Sequence, residues 1–125
     1  MVLVNFASPG YSPGYARVQA AHAASARRVG GAHGIRSYGP SSLPREFVPK
    51  NLRVLLLRRG AGYGLWKPRI ILDVLESEPD AANVLHCDVD FAFVANADAR
   101  FRVMREEGVD VMTFDSGCTK VHDTQ

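Results

Sequence analysis

The sequence predicts one α/β domain of three layers built on a largely parallel sheet. A chain of 125 residues suits a single domain, so residues 1–125 are assigned to one unit. A composition of 46% hydrophobic and 22% charged residues is that of a folded chain, because disordered chains lack the apolar surface that offsets ordering entropy. Short apolar runs alternate with longer helix-forming stretches, which is typical of a parallel sheet covered by helices.

The first half of the chain predicts a strand, a helix and a second strand. Residues 2–6 form a β-branched and aromatic run that ends at a Ser-Pro-Gly turn, as a buried strand does. Residues 13–29 are rich in Ala and predict a helix that ends at Gly30-Gly31. Its inward face is expected to carry Tyr15, Val18, His22, Ser25 and Val29. A second strand is predicted over residues 34–38, and a loop then leads to a short helix near residues 44–50.

The second half predicts two further strands and two further helices. The apolar run 52–57 suits either a strand or a helix end, and a strand is favoured, followed by a Gly-rich connector over 60–64. A helix begins near Pro68, with Ile70, Ile71, Val74 and Leu75 as its apolar stripe, and ends by 78–79. Residues 84–87 predict the next strand. Asn96 caps a helix over 97–107 that turns Phe101 and Met104 inward, and residues 109–114 predict a final strand before a disordered tail from about 115 to 125.

Charge is distributed unevenly along the chain. Residues 1–62 hold nine Arg or Lys against the single acid Glu46, which gives +8, whereas residues 63–125 hold six against twelve acids, which gives −6 and restores the net +2. If the halves fold together, a basic wall faces an acidic one, an arrangement that suits an anion beside a bound cation. The alternative is that these charges belong to solvated faces.

The sequence contains no transmembrane or disulfide signal. No apolar run approaches the ~20 residues that cross a bilayer, and no basic region precedes an apolar stretch at the N-terminus, so a cytoplasmic location is expected. Cys87 and Cys118 are too few for a disulfide framework and have no zinc-site spacing, so they are predicted to be buried free thiols.

The Asp88-Val89-Asp90 triplet is the most informative feature of the sequence. It follows directly on a predicted strand, which is where open α/β sheets bind ligands. Carboxylates are costly beside an apolar core unless they are paired, solvated or bound to a metal, and their hard oxygens suit Mg²⁺ or Mn²⁺. A metal or phosphate role is therefore predicted for Asp88 and Asp90, with helix capping or surface salt bridging as the alternative.

A second feature is the segment GYGLWKP over residues 62–68. Glycines before a helix start let a phosphate approach backbone N–H groups, Lys67 supplies a mobile positive charge, and Trp66 can stack on a sugar or base. The segment matches neither the GxxxxGK[ST] nor the GxGxxG pattern. The alternative is a loop whose lone Trp packs in the core.

Three segments, in order, resemble small bacterial and viral glycosyltransferase-like proteins of the GT-A type. They are VNFASP at the first strand and turn, GYGLWKPRIILDVLE at the loop and helix, and NVLHCDVDF at the acidic strand end. The match covers roughly residues 1–95, and the WKP helix start is its most specific part. The resemblance implies a nucleotide-diphospho-sugar transferase fold, of which this chain is the N-terminal donor-binding part, and a hexosyltransferase-type activity that uses a UDP- or GDP-sugar donor and an acceptor that the sequence leaves open.

The resemblance also implies roles for particular residues. In such enzymes the last Asp of the DxD usually holds the divalent cation, Mn²⁺ or Mg²⁺, which points to Asp90. The first Asp commonly contacts the ribose or the metal shell, which points to Asp88. Diphosphate contact by Lys67 is inferred from its charge. Trp66 is part of the resembling segment and is included among the nucleotide-binding residues, but the resemblance gives it no specific role. The turn after the first strand lies against the nucleotide, so the remaining nucleotide contacts are Ala7, Ser8 and Pro9.

Two other functions remain open at this stage, and no residue is assigned as catalytic. The basic half, with Arg27, Arg28, Arg36 and Arg53 among its cations, suits an acidic partner, but it contains no recognised nucleic-acid-binding motif. A structural domain or an inactive truncated fragment is the other possibility. The four His residues are expected to be ordinary surface or core residues.

Overall fold

The structure is a computed structural model that describes residues 1–8, 14–57, 60–78 and 83–113. Within these ranges it has three strands, five helices and one short 3₁₀ helix. They are β1 (Val2–Phe6), α1 (Tyr15–Arg28), β2 (Gly34–Tyr38), the 3₁₀ helix (Pro40–Ser42), α2 (Phe47–Leu55), α3 (Gly60–Tyr63), α4 (Trp66–Ser77), β3 (Val84–His86) and α5 (Asp98–Glu107). The predicted α/β class, and strands one and two as bounded from the sequence, are confirmed.

The three strands form one parallel sheet in the order β2-β1-β3. β1 pairs with β2 from Val2↔Gly34 to Phe6↔Tyr38, and with β3 from Val2↔Val84 to Val4↔His86. β1 is therefore central, which explains why all five of its residues are buried. The chain first moves to one side of β1 and later crosses to the other, so the strand order reverses at β1.

Each face of the sheet is covered by its own apolar cluster. Val2, Val4 and Phe6 point to the side of α4, where they pack with the cluster that includes Trp66 and Ile70. Alternate residues of the same strand point the other way, because successive side chains in a strand alternate between faces. The cluster on this second face contains Met1 and Leu3, together with Ala26 of α1, Phe101 of α5, and Ala32. The described elements thus form three layers.

The prediction of a strand over 52–57 is wrong. Residues 47–55 form α2, in which Phe47, Val48 and Leu55 pack against the α4-side core. Phe47, Val48 and Leu55 are spaced so that they lie on one side of a helix. In a strand, by contrast, Leu55 and Leu57 would point to the same face of the sheet. The predicted connector over 60–64 is also wrong in part, because it contains the helical turn α3.

The ends of the chain's later elements differ from prediction in smaller ways. α4 begins at Trp66, two residues before Pro68, and Val74 is buried as expected whereas Leu75 is 48% exposed. The prediction of a strand over 109–114 is wrong for its described residues, 109–113, which form no strand. Val111 there is 80% exposed, so the alternating pattern has no apolar surface to pack against.

Helix α5 largely follows its prediction. It spans Asp98–Glu107, and Gly108 ends it with a left-handed backbone, φ 64°. The predicted cap is displaced by one residue, because Ala97 is the N-cap and Asn96 precedes it, although the Asn96 Oδ1 atom accepts a hydrogen bond from the Asp98 amide at 2.7 Å. Phe101 is buried and Met104 packs partly against the same cluster. No helix in the described part of the chain has the length and apolar character needed to cross a membrane.

Candidate functional site

The candidate site lies at the carboxyl edge of the sheet, where β1 and β3 end side by side. Ala7 and Ser8 follow β1, and Cys87 and Asp88 follow β3. The Cys87 amide donates to the Val4 carbonyl at 3.3 Å, which holds the two strand ends together just before the acidic triplet. Open α/β sheets bind ligands at the carboxyl ends of strands where the strand order reverses. This edge between β1 and β3 is such a point.

Lys67 and Asp88 form an ion pair at this edge. The Lys67 Nζ atom lies 2.8 Å from Asp88 Oδ1 and 3.0 Å from Oδ2, so the ammonium contacts both carboxylate oxygens. Lys67 reaches this position because it lies in the first turn of α4, which packs on the same face of the sheet. The two side chains are 39% and 47% exposed. A cation and a carboxylate are therefore both accessible to a solute at the strand end.

Asp90 projects from the turn that follows. Val89, between the two acids, is only 2% exposed, and it anchors the turn while Asp88 and Asp90 stay at the surface. The Phe91 amide donates to the Asp88 carbonyl at 3.3 Å and closes this turn. Asp90 makes no hydrogen bond or ion pair with a residue that the structure describes. Of the two acids, Asp90 is the one whose carboxylate is not already engaged by Lys67.

The donor set at the edge fits a hard divalent cation only in partnership with a ligand. Among the described residues, no group of three or more His, Cys, Asp or Glu side chains is arranged to hold a metal. Two carboxylates are present, and Mg²⁺ is commonly bound through one or two carboxylates together with waters and substrate phosphates. The described residues therefore do not form a closed all-protein cage, and a cation held by these carboxylates would take its other ligands from water or a bound phosphate.

Trp66 lies in the core beneath the site. It is 6% exposed, and its ring stacks on Phe6 with centroids 4.0 Å apart and planes inclined by 18°. The ring also faces His86 at 5.9 Å, and Lys67 Nζ lies 5.7 Å from its centroid. In this arrangement Trp66 joins the end of β1 to the start of α4, as the core-packing interpretation expects. Stacking of Trp66 on a nucleotide stays a prediction.

Two half-buried groups next to the acids have shifted pKa values. Desolvation, followed by the charge of Lys67, lowers the pKa of His86 below its ordinary 6.5, so this imidazole is neutral at pH 7. Desolvation, followed by the charges of Asp88 and Asp90, raises the pKa of Cys87 above its ordinary 9.0. Cys87 is a free, protonated thiol. The Cys87 thiol therefore lacks the thiolate form that a nucleophile near neutral pH requires.

Helix α1 holds the segment that follows Asp90, which sequence reasoning missed. The His22 Nδ1 atom lies 2.7 Å from the Phe91 carbonyl, and because a carbonyl can only accept, Nδ1 donates in this bond. Ser25 Oγ accepts from the Phe93 amide at 3.2 Å and donates to the His22 carbonyl at 2.8 Å. The sequence signal is the presence of two polar residues three apart on the buried face of a helix, but that signal does not identify their partners.

A second polar contact on α1 fixes the end of β1. Asn5 is fully buried, and its Oδ1 accepts from the Gln19 side-chain amide at 2.9 Å. The same Gln19 nitrogen donates to the Tyr38 carbonyl at 2.9 Å, so one side chain joins β1 and β2 just before the strands end. The Asn5 Nδ2 and His22 Nε2 atoms are buried without a partner among the described residues.

The structure thus brings several predicted site residues to one edge of the sheet. Ala7 and Ser8 follow β1, Lys67 contacts Asp88, and Asp90 stands in the adjoining turn. Pro9 lies outside the described residues, as do Cys118 and His122. Comparison with known proteins gives no match: no protein-family model, no curated protein and no solved structure matches this chain.

Proposed function

We propose that this chain binds a nucleotide-sugar donor, a UDP- or GDP-sugar, through a Mn²⁺ or Mg²⁺ ion held at the DVD turn, and transfers the sugar to an acceptor. The observation that carries the proposal is the position of two exposed carboxylates and Lys67 at the carboxyl edge between β1 and β3. Nucleotides bind at such an edge in other open α/β sheets. The resemblance of the VNFASP, GYGLWKP and DVD segments to GT-A proteins supports the choice of donor.

In this proposal different side chains contact different parts of the donor and its cation. Asp90, whose carboxylate is free of described partners, holds the cation, and Asp88 completes its shell or contacts the ribose. Lys67 then exchanges its contact with Asp88 for a diphosphate oxygen, since an ammonium on a flexible stem can make either contact. Ala7, Ser8 and Pro9 lie against the nucleotide. When bound, the cation acts as a Lewis acid that stabilises the leaving diphosphate.

Calorimetric titration with UDP and with GDP, each with and without Mn²⁺, tests the binding step. One of the two nucleotides is expected to bind, and to bind only when Mn²⁺ is present. Asp90→Asn removes a charged ligand without changing the size of the side chain, and it is expected to weaken binding at least about tenfold. Asp110→Asn is the matched control, because Asp110 is an exposed acid in the bend after α5.

The transfer step needs a separate measurement. Release of nucleoside diphosphate from the corresponding nucleotide-sugar, followed by chromatography, reports turnover in the presence of Mn²⁺. Binding without release identifies a donor-binding domain without activity. Failure of both nucleotides to bind to the folded chain with Mn²⁺, or equal binding by the parent and by Asp90→Asn, contradicts the proposal.

A further inference from the structure

The outer side of α2 exposes several apolar residues. Phe47, Val48 and Leu55 pack against the core, and the opposite side of the helix and its following turn carry leucines open to solvent. Leu56 is 72% exposed, and Leu52 and Leu57 are each nearly half exposed. We name this the α2 surface, consisting of Lys50, Leu52, Arg53, Val54, Leu56 and Leu57. Exposed apolar residues that cluster in this way mark interaction sites, whereas single ones are ordinary.

The α2 surface itself contains no acidic residue, and the acid closest to it along the chain is Glu46, the residue before α2. Between Glu46 and Asp73 the sequence contains six Arg or Lys residues and no Asp or Glu. The two bounding acids both lie near the Arg69 guanidinium, at 3.8 Å and 3.7 Å, so they are engaged away from Lys50 and Arg53. Lys50 and Arg53 are exposed and form no ion pair with a described residue. The surface is therefore both apolar and positively charged.

We propose that the α2 surface docks the protein on the surface of an anionic lipid bilayer. The exposed leucines enter the boundary between headgroups and acyl chains, and Lys50 and Arg53 contact lipid phosphates. Long cationic side chains can lie along apolar groups while their charged ends reach the headgroups. The proposed docking involves the surface of one leaflet. The proposal is independent of the nucleotide site.

The mixed pattern of the surface favours a bilayer over a protein partner. Arg53 lies on the same outer side of α2 as Leu56 and Leu57, so charge and apolar groups alternate instead of separating into a dry centre and a polar rim. Protein interfaces are enriched in aromatic residues, Met and Arg and depleted in Lys, whereas the α2 surface contains Lys50 and no aromatic residue. A headgroup layer, in contrast, accepts cations and apolar side chains side by side.

Co-sedimentation with lipid vesicles tests the proposal. The parent is expected to bind vesicles of phosphatidylcholine mixed with phosphatidylglycerol and not to bind vesicles of phosphatidylcholine alone. Its affinity for the mixed vesicles is expected to fall as salt is added. Leu56→Ser with Leu57→Ser is expected to lower vesicle affinity at least about tenfold, because two leucines no longer insert. Arg53→Gln removes one cation and is expected to lower it about fivefold.

Matched controls come from other exposed positions. Leu72 and Leu75 on α4 are 44% and 48% exposed but lie beside Asp73 and Glu76, so Leu72→Ser with Leu75→Ser is expected to leave vesicle binding unchanged. Arg102→Gln on α5 is the control for Arg53→Gln. Circular dichroism confirms that each variant is folded before its binding is compared.

Three results would overturn the proposal. The first is failure of the folded parent to bind the anionic vesicles. The second is equal loss of binding in the α4 control and in Leu56→Ser with Leu57→Ser, which would make the effect nonspecific. The third is a dimer in sedimentation velocity that the Leu56 and Leu57 changes separate, because a second copy of the chain would then cover the surface.

Discussion

At the scale of single residues, the carboxyl edge of the sheet combines accessible charge with a packed support. Lys67 and Asp88 keep a large part of their surface in water, whereas Trp66 directly beneath them is buried against Phe6. The residue types and the strand-end position of the acids could be predicted from the sequence. The pairing of Lys67 with Asp88 could not, since a separation of 21 residues says nothing about contact.

The exposure of this ion pair leads to a prediction about Lys67→Met. Ion pairs in contact with water contribute ~0–1 kcal/mol, so the free energy of unfolding is expected to change by less than about 1 kcal/mol. Binding of the nucleoside diphosphate is expected to fall about tenfold, because charge-assisted contacts to phosphate are among the stronger hydrogen bonds. Urea unfolding and calorimetry measure the two effects. A large loss of stability with unchanged affinity would make Lys67 a structural residue.

His86 gives the site a predicted dependence on pH. Burial and Lys67 lower its pKa in the folded chain, so the unfolded chain binds a proton more readily and acid favours unfolding. The stability that the neutral imidazole contributes is complete above pH 6.5 and is lost as the pH falls from 6.5 towards the lower folded-state pKa. Urea unfolding at pH 7.5 and at intermediate pH values down to about 5 measures this slope. His86→Asn is expected to flatten it, and an identical slope in the variant would contradict the assignment.

At the scale of elements, the sequence predicts best where an apolar pattern ends at a clear turn or helix-stop signal. β1 is an apolar run that precedes a Ser-Pro-Gly sequence, and α5 has its inward Phe101 and its terminating Gly108 where the pattern indicates. The 52–57 run fails because a short apolar stretch suits a helix and a strand equally, and its Leu56 is exposed. The prediction of a strand over 109–114 fails over the described residues 109–113, where Val111 is exposed and the alternating pattern has no apolar surface to pack against.

The contact between α1 and the segment after Asp90 depends on a close approach at Gly30. A methyl group added there would lie 2.5 Å from Phe93 Cδ1 and 2.9 Å from the Ala26 carbonyl oxygen. Gly30→Ala is therefore expected to destabilise the fold by ~1–3 kcal/mol and to speed hydrogen exchange at the Phe93 amide. Chemical denaturation and amide exchange measure these effects.

Gly39→Ala supplies the control for that change. Its added methyl group would come no closer than 3.4 Å, to the Ala7 carbonyl oxygen, which is an ordinary contact. Stability is expected to stay within about 0.5 kcal/mol of the parent. If the two alanine variants were equally stable, the packing of the 91–93 segment on α1 would not be a constraint on the site.

At the scale of the whole molecule, topology decides where the candidate residues meet. Alternating strands and helices predict a parallel sheet, but they do not give its strand order, because that order depends on which face each crossover takes. The order β2-β1-β3 brings the turn after β1 next to the acids after β3. The uneven charge of the two halves appears in the pairing of Arg36 in the first half with Glu78 in the second.

The central claim is that a cation and a nucleotide bind at this edge between β1 and β3, and paramagnetic broadening by Mn²⁺ tests it most directly. In an isotope-labelled chain with the nucleotide present, we predict that the amide signals of Ala7, Ser8 and Val89 broaden first. Gly34, at the opposite edge of the sheet, is expected to keep its signal, and Asp90→Asn is expected to abolish the effect. Broadening centred on another acidic region, such as Glu106 and Glu107, or no localised broadening at all, would contradict the account.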